Sequence, residues 1–141
     1  MTMELQATPE EVMRAVETLE DFARAQHVPE KLICGLTLAL EECGSNIVNH
    51  ALRRDACQKF RVTFERHGSQ MLIELRDRGP EFDPTAAPER GPSAEEDDLP
   101  GGWGIHLVRR YIDDIRYSRE AGENILRLTK HIEHINTNTK N

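Results

Sequence analysis

No apolar run in this chain approaches the ~20 residues that a membrane-spanning helix needs. The first residues, Met1–Glu11, carry no basic segment followed by an apolar stretch, so a secretory leader is not expected. Cysteine is scarce and unclustered: Cys34, Cys43 and Cys57, an odd number. No Cys-x-x-Cys or His-x-x-x-His spacing appears, so a dedicated metal site is not expected. Cys34 and Cys43 fall on a helical segment and read as small core residues in a reducing cytosol. Lysine and arginine are also in deficit, 18 against 25 Asp plus Glu, for a net charge of −7. Nucleic-acid and anionic-membrane surfaces both need clustered cations, so neither is expected. Much of the acidity sits in one run, Glu95–Asp98, which reads as a solvated stretch or a face for a basic partner.

What is present is an ordinary globular composition, 38% hydrophobic and 30% charged over 141 residues, enough for one domain with a real core. Thr8-Pro9-Glu10-Glu11 is a helix start, with Thr8 as cap, Pro9 at the first helical position and Glu11 placed for a capping box. Val12, Val16, Leu19, Phe22 and Ala23 then give an apolar stripe to about Gln26. A second helix is expected from about Pro29 to Arg54. Alternation predicts strands over 59–66 and 71–77, joined by the His67–Gln70 turn, and over 115–119 and 125–131, joined by an Ala121–Asn124 turn. A short helix over 105–112 lies between the two pairs. The order α-α-β-β-loop-α-β-β predicts an α+β, two-layer sandwich, with helices on one face of a mostly antiparallel mixed sheet. Residues 1–134 are expected to form the domain, with 84–101 a long Pro-rich loop and 135–141 a frayed tail.

The stretch Leu36–Leu52 carries two kinds of residue. Leu36, Leu40, Cys43, Ile47 and Ala51 recur at helical spacing and form an apolar face. Glu42, Asn46 and Asn49 recur at steps of four and three and form a polar row beside it. Gly44 within this helix suits either tight packing or room for a ligand. Downstream come Asp77-Arg-Gly79-Pro-Glu-Phe82-Asp-Pro after a strand and Gly101-Gly-Trp-Gly104-Ile105-His-Leu-Val108 opening a helix.

Together these three motifs resemble the ATP-binding (Bergerat) fold of the superfamily of gyrase, Hsp90, histidine kinases and MutL. Within it, a stand-alone domain of this size resembles the anti-sigma factor serine-protein kinases. The resemblance implies ATP and Mg²⁺ as cofactors, with Asn46 offering its amide oxygen to the metal. Glu42, one turn earlier on the same face, would then be a carboxylate placed to take a proton from an attacking hydroxyl. Asp77, an acceptor without a donor when ionised, matches the exocyclic amine of adenine and would select ATP over GTP. Gly79 lets the backbone pass close to the base. Phe82 is a wall of the pocket or a core residue. Glu81 stands where the family often has another glycine. Gly102 and Gly104 supply exposed amides at a helix start for phosphate, with Ile105 beside them. Asn49 is a phosphate or ribose neighbour; His50 is equally well a satisfied structural histidine, and Arg53 reads as a solvated residue with the loop or a phosphate within reach.

The function so implied is a serine/threonine protein kinase of the cytoplasm. It would phosphorylate an anti-anti-sigma (STAS-type) antagonist, sequester a sigma factor by partner switching and commonly pair as a homodimer. Two alternatives are a catalytically silent nucleotide-binding module that sequesters a protein, and a stand-alone ATPase.

Overall fold

The computed structural model describes residues 1–86 and 102–132, with only the backbone for 102–104. The expected loop tip, the acidic run Glu95–Asp98 and the tail 135–141 lie outside the described residues. In chain order the elements are β1 (Thr2–Gln6), α1 (Pro9–Ala25), α2 (Glu30–Asn46), β2 (Lys59–His67), β3 (Gln70–Asp77), α3 (Gly102–Tyr111), β4 (Asp114–Glu120) and β5 (Glu123–His131). The strands form one sheet in the order β1-β2-β3-β5-β4, and every neighbouring pair is antiparallel. Among the described residues no helix is long and apolar enough to cross a membrane.

One face of the sheet carries the core. Phe60, Val62 and Phe64 of β2, Met71, Ile73 and Leu75 of β3, and Leu126 and Leu128 of β5 are buried in register with one another. The helices supply the other half of the core: Val12, Ala15, Leu19 and Ala23 from α1, Leu36, Leu40 and Cys43 from α2, and Ile105 and Val108 from α3. The opposite face is polar. There Glu74 pairs with Arg76 and Arg127, and Glu123 with Arg61, Arg76 and Arg78.

The first helix starts as the sequence predicts, with a change in wiring. Thr8 Oγ1 accepts from the Glu11 amide at 3.2 Å. Glu11 does not return the bond to Thr8; its Oε1 accepts from the Gln6 amide at 3.2 Å, while the Thr8 amide donates to Gln6 O at 2.8 Å. The box therefore closes on the end of β1 and ties that strand to α1. β1 itself escapes a local reading because its alternation, with Met3 and Leu5 buried between exposed Thr2, Glu4 and Gln6, runs for only five residues and its partner β2 is distant in sequence.

Two glycines in α2 set helix packing. A Cβ on Gly44 would lie 3.2 Å from Val12 Cγ1, so this glycine serves the α1–α2 contact and not a ligand. A Cβ on Gly35 would lie 2.9 Å from Tyr111 Cβ, which fixes how closely α3 approaches α2. The expected helix to Arg54 is not a single α-helix. After Asn46 it widens into a π-turn over Ile47–Ala51, closed by the Leu52 amide on Ile47 O at 2.8 Å, and it unwinds through Arg53 and Arg54, both at positive φ (53° and 59°). π-turns inside helices are rare and recur at functional sites.

Candidate functional site

The C-terminal end of β3 and the start of β5 meet the end of α2 at a narrow cleft of about 10 Å³. Its lining includes Asn46, Ile47, Asp77, Phe82, Tyr117 and Asn124. The sheet register explains this convergence. Asp77 is the last residue of β3 and pairs with Asn124, the second residue of β5, on the core-facing side of the sheet, directly beyond the Leu75–Leu126 pair. Strand alternation thus carries the apolar row to the edge of the core and ends it in two polar side chains.

Asp77 is 3% exposed. Its Oδ1 accepts from the Gly79 amide at 2.8 Å and from Asn124 Nδ2 at 2.9 Å. Both bonds fall on the same oxygen, which leaves Oδ2 without a hydrogen bond among the described residues. Burial raises the carboxyl's pKa above its ordinary 3.8, against the opposing pull of the Asn124 amide, the Gly79 amide and the Arg119 charge. An ionised Asp77 presents a bare acceptor to the cleft.

Gly79 is not among the cleft-lining side chains, and the structure gives its own reason for a glycine here. A Cβ would lie 2.6 Å from the carbonyl oxygen of Ala51, at the end of the π-turn. The corner after β3 and the end of α2 are in backbone contact, and only glycine allows it. Phe82 forms part of the cleft wall, and its ring stacks on His50 at a centroid distance of 6.0 Å.

On the helix side the polar row is split by the π-turn. Asn46 is 6% exposed, lines the cleft, and its Nδ2 is buried with no hydrogen-bond partner among the described residues. A buried amide donor without a partner costs about 1–3 kcal/mol unless a ligand satisfies it. Glu42, one turn earlier and about 6 Å along the axis, is half-buried, and it makes no hydrogen bond or ion pair among the described residues. Burial, with a smaller contribution from Glu41, raises its carboxyl pKa above the ordinary 4.5. Asn49 departs from this row. It is exposed and its Oδ1 accepts from Arg54 Nε at 2.8 Å. The wider π-turn breaks the 3.6-residue period that would have stacked it over Asn46.

Gly102 and Gly104 lie inside the first turn of α3, which begins three residues earlier than the expected 105–112. The Ile105 side chain is buried in the core, so only its backbone is available to a ligand. Asp83 closes a turn by accepting from Thr85 through the amide at 2.9 Å and the hydroxyl at 2.6 Å.

The residue that sequence reasoning missed is Asn124. Its Oδ1 accepts from the Phe82 amide at 3.1 Å, Tyr117 Oη at 2.5 Å and Arg119 Nη1 at 3.0 Å. Its Nδ2 donates to Asp77 Oδ1 and to Pro80 O, both at 2.9 Å. Arg119 Nη1 also reaches Gly79 O at 2.9 Å. The signal was available: Asn124 begins the alternation Asn124, Leu126, Leu128 that faces the core, and a polar residue in such a row needs partners.

The arrangement combines an acceptor at one end of the cleft with an unpaired carboxamide at the other, and a carboxylate of raised pKa one helical turn before that carboxamide, outside the cleft lining. Mg²⁺ takes oxygen ligands and keeps several waters, so a single carboxamide oxygen beside a carboxylate fits it when phosphates supply the rest.

Comparison with known proteins identifies the family. Residues 5–130 match the family described as Histidine kinase-like ATPase domain. The serine/threonine-protein kinase BtrW of Bordetella bronchiseptica is 31% identical over 131 residues, covering 92% of each chain. The serine-protein kinase RsbW of Oceanobacillus iheyensis is 29% identical, covering 92% of this chain and 85% of that one. Among solved structures, the RsbU and RsbW domains of a Mycobacterium tuberculosis protein superpose with a TM-score of 0.68 at 17% identity, covering 94% of this chain and 31% of theirs. A chain of the SiaB–SiaC complex of Pseudomonas aeruginosa superposes at 0.65 with 13% identity, covering 92% of this chain and 88% of that one, a likeness of fold.

Proposed function

This chain belongs to the histidine kinase-like ATPase domain family and is a kinase of its serine/threonine type, and from that premise we propose that it phosphorylates a Ser or Thr hydroxyl of a small anti-anti-sigma (STAS-type) antagonist. The observation that carries the reading is one cleft with a free acceptor, Asp77 Oδ2, at its strand end and the unpaired Asn46 amide at its helix end.

The strand end matches adenine in its hydrogen bonding. The exocyclic amine of the base donates where Asp77 Oδ2 accepts, whereas guanine presents a carbonyl there, and two facing acceptors repel. Asn46 would hold Mg²⁺ through its amide oxygen and offer Nδ2 to a phosphate oxygen, which meets the unsatisfied donor. The metal supplies neutralisation of phosphate charge. The first turn of α3, with Gly102 and Gly104, offers backbone amides to the same phosphates.

For transfer, the acceptor hydroxyl oxygen bonds to the γ-phosphorus as the bond to the β–γ bridging oxygen breaks, and ADP leaves. Glu42 takes the hydroxyl proton. A carboxyl pushed above its ordinary 4.5 by burial is a better base than an exposed one. Most of the acceleration in such a reaction comes from positioning and charge.

Partner switching follows from competition. A sigma factor and the unphosphorylated antagonist would compete for the domain, and phosphorylation of the antagonist would release it in favour of the sigma factor. The name of one structural neighbour, a SiaB–SiaC complex, accords with a domain of this fold that works bound to another protein.

Titration calorimetry with ATP and GTP, each with and without Mg²⁺, tests the reading before any partner is identified. Magnesium-dependent ATP binding with GTP rejected is the expected result. A folded protein that binds neither nucleotide sinks the kinase proposal and leaves a sequestering module.

A further inference from the structure

The Asn124 amide is the most heavily bonded polar group in the described part of the cleft, and it lies where it can act on the base through Asp77. Its oxygen accepts from three donors: the Phe82 amide of the corner, and Tyr117 and Arg119 of β4. Three donors on one oxygen leave the amide a single orientation, because turning it over would set an NH₂ group against two N–H groups and a hydroxyl. The nitrogen is therefore committed to Asp77 Oδ1 and Pro80 O. With the Gly79 amide also on Oδ1, the carboxylate of Asp77 is rotationally fixed and has one oxygen left for a ligand.

We propose that Asn124 is the positioning residue that sets base specificity: it presents Asp77 Oδ2, and no donor, to the 6-position of the purine. The inference rests on the kinase reading of the cleft and deepens it. Arg119 belongs to the same device, since it orients Asn124 and grips Gly79 O at 2.9 Å while lying outside the cleft lining.

A purely structural role and a positioning role differ in what they do to selectivity. Loss of packing weakens every nucleotide alike. Loss of positioning weakens only the contact to the 6-amino group. The test compares the affinities of ATP and purine riboside 5′-triphosphate, which lacks that amine, for the wild type, Asn124→Leu and Arg119→Met, with folding checked by circular dichroism. Wild type is expected to prefer ATP by roughly ten- to a hundredfold, the range for a hydrogen bond to a charged group. In Asn124→Leu that preference should shrink to about twofold or less, with affinity for the purine analogue changed little. Arg119→Met, which keeps the aliphatic stem, should fall between.

A folded Asn124→Leu that keeps the wild-type preference overturns the proposal. Should that variant fail to fold, Arg119→Met with an undiminished preference overturns it equally, and a reduced one supports it. Wild type that binds both analogues with equal affinity removes the selectivity claim while leaving the nucleotide site standing. Wild type that binds neither removes the kinase reading and this inference with it.

Discussion

Two asparagines stand at opposite ends of the cleft, 4% and 6% exposed, and they differ in almost everything else. Asn124 makes five hydrogen bonds, to the corner after β3 and to β4. Asn46, on α2, has a buried Nδ2 with no partner among the described residues. The amide at the strand end of the cleft is thus fully hydrogen-bonded, and the one at the helix end is not. A satisfied buried network rigidifies and specifies, whereas an unsatisfied group costs free energy that only a ligand returns. The difference teaches where recognition is preorganised and where binding does the organising.

The largest break falls on the helix side. Glu42→Gln is expected to leave ATP affinity near wild type and to slow phosphoryl transfer about 10²- to 10⁴-fold, the usual contribution of a general base. Single-turnover transfer to the antagonist measures it; an unimpaired rate would dismiss Glu42 as the base. The wild-type rate should also fall on the acid side at a pH above 4.5, since burial raises the carboxyl and only its ionised form takes a proton. The same shift has a stability sign. Between 4.5 and its raised folded value Glu42 is more protonated in the native state than in the unfolded chain, so its own contribution to stability falls as pH rises through that window. Glu42→Gln should remove that slope.

Next comes Asp77→Asn at the strand end. The new side chain oxygen still accepts from the Gly79 amide and Asn124, so the corner survives. The new NH₂ then replaces Oδ2 and faces the adenine amine, donor against donor. ATP affinity should drop roughly ten- to a hundredfold, and GTP, whose 6-carbonyl accepts, should gain relative to it. The fold should hold or improve slightly, because a carboxylate whose burial outweighs its hydrogen bonds is removed. Calorimetry with both nucleotides, beside a thermal melt, checks both halves.

The comparison sharpens when the same substitution is made twice. Asn46→Leu deletes an unpaired buried donor and should stabilise the ligand-free chain by about 1 kcal/mol, while ending magnesium-dependent nucleotide binding. Asn124→Leu strands the Phe82 amide and Pro80 carbonyl and should cost about 2–3 kcal/mol. Urea melts without nucleotide should therefore move in opposite directions. Two shifts of the same sign would mean that the difference in hydrogen bonding does not govern stability here.

Much of this was legible beforehand, for physical reasons that can be named. Helical spacing placed Leu36, Leu40, Cys43 and Ile47 in the core, and strand alternation placed Phe60, Val62 and Phe64 there, because both signals are local and periodic. β1 was not legible, since five alternating residues gain meaning only from pairing with β2. Asn124 was not singled out because the partners that define it, Asp77, Pro80 and Phe82, come from β3 and the corner after it, more than forty residues away, and only Tyr117 and Arg119 lie on its own hairpin. Gly79 was visible as a special position, but its reason, the Ala51 carbonyl 2.6 Å from a Cβ, needed the tertiary structure.

The smallest expected effect bears on the one residue that periodicity placed in the polar row and the structure moved out of it. Asn49 lies three residues after Asn46, and an α-helix would set both side chains on one face. The π-turn over Ile47–Ala51 adds a residue to that turn and swings Asn49 outward, where Arg54 Nε donates to its oxygen at 2.8 Å. Arg54 holds a positive φ of 59°, so this bond steadies the strained exit of the helix and not a phosphate. Asn49→Ala should therefore leave nucleotide affinity within about twofold and cost only about 0.5–1 kcal/mol of stability, the worth of one exposed hydrogen bond. Calorimetry on this variant beside Asn46→Ala reads the contrast directly. A loss of ATP affinity matching that of Asn46→Ala would show that the helix end rewinds around the nucleotide and restores the α-helical row.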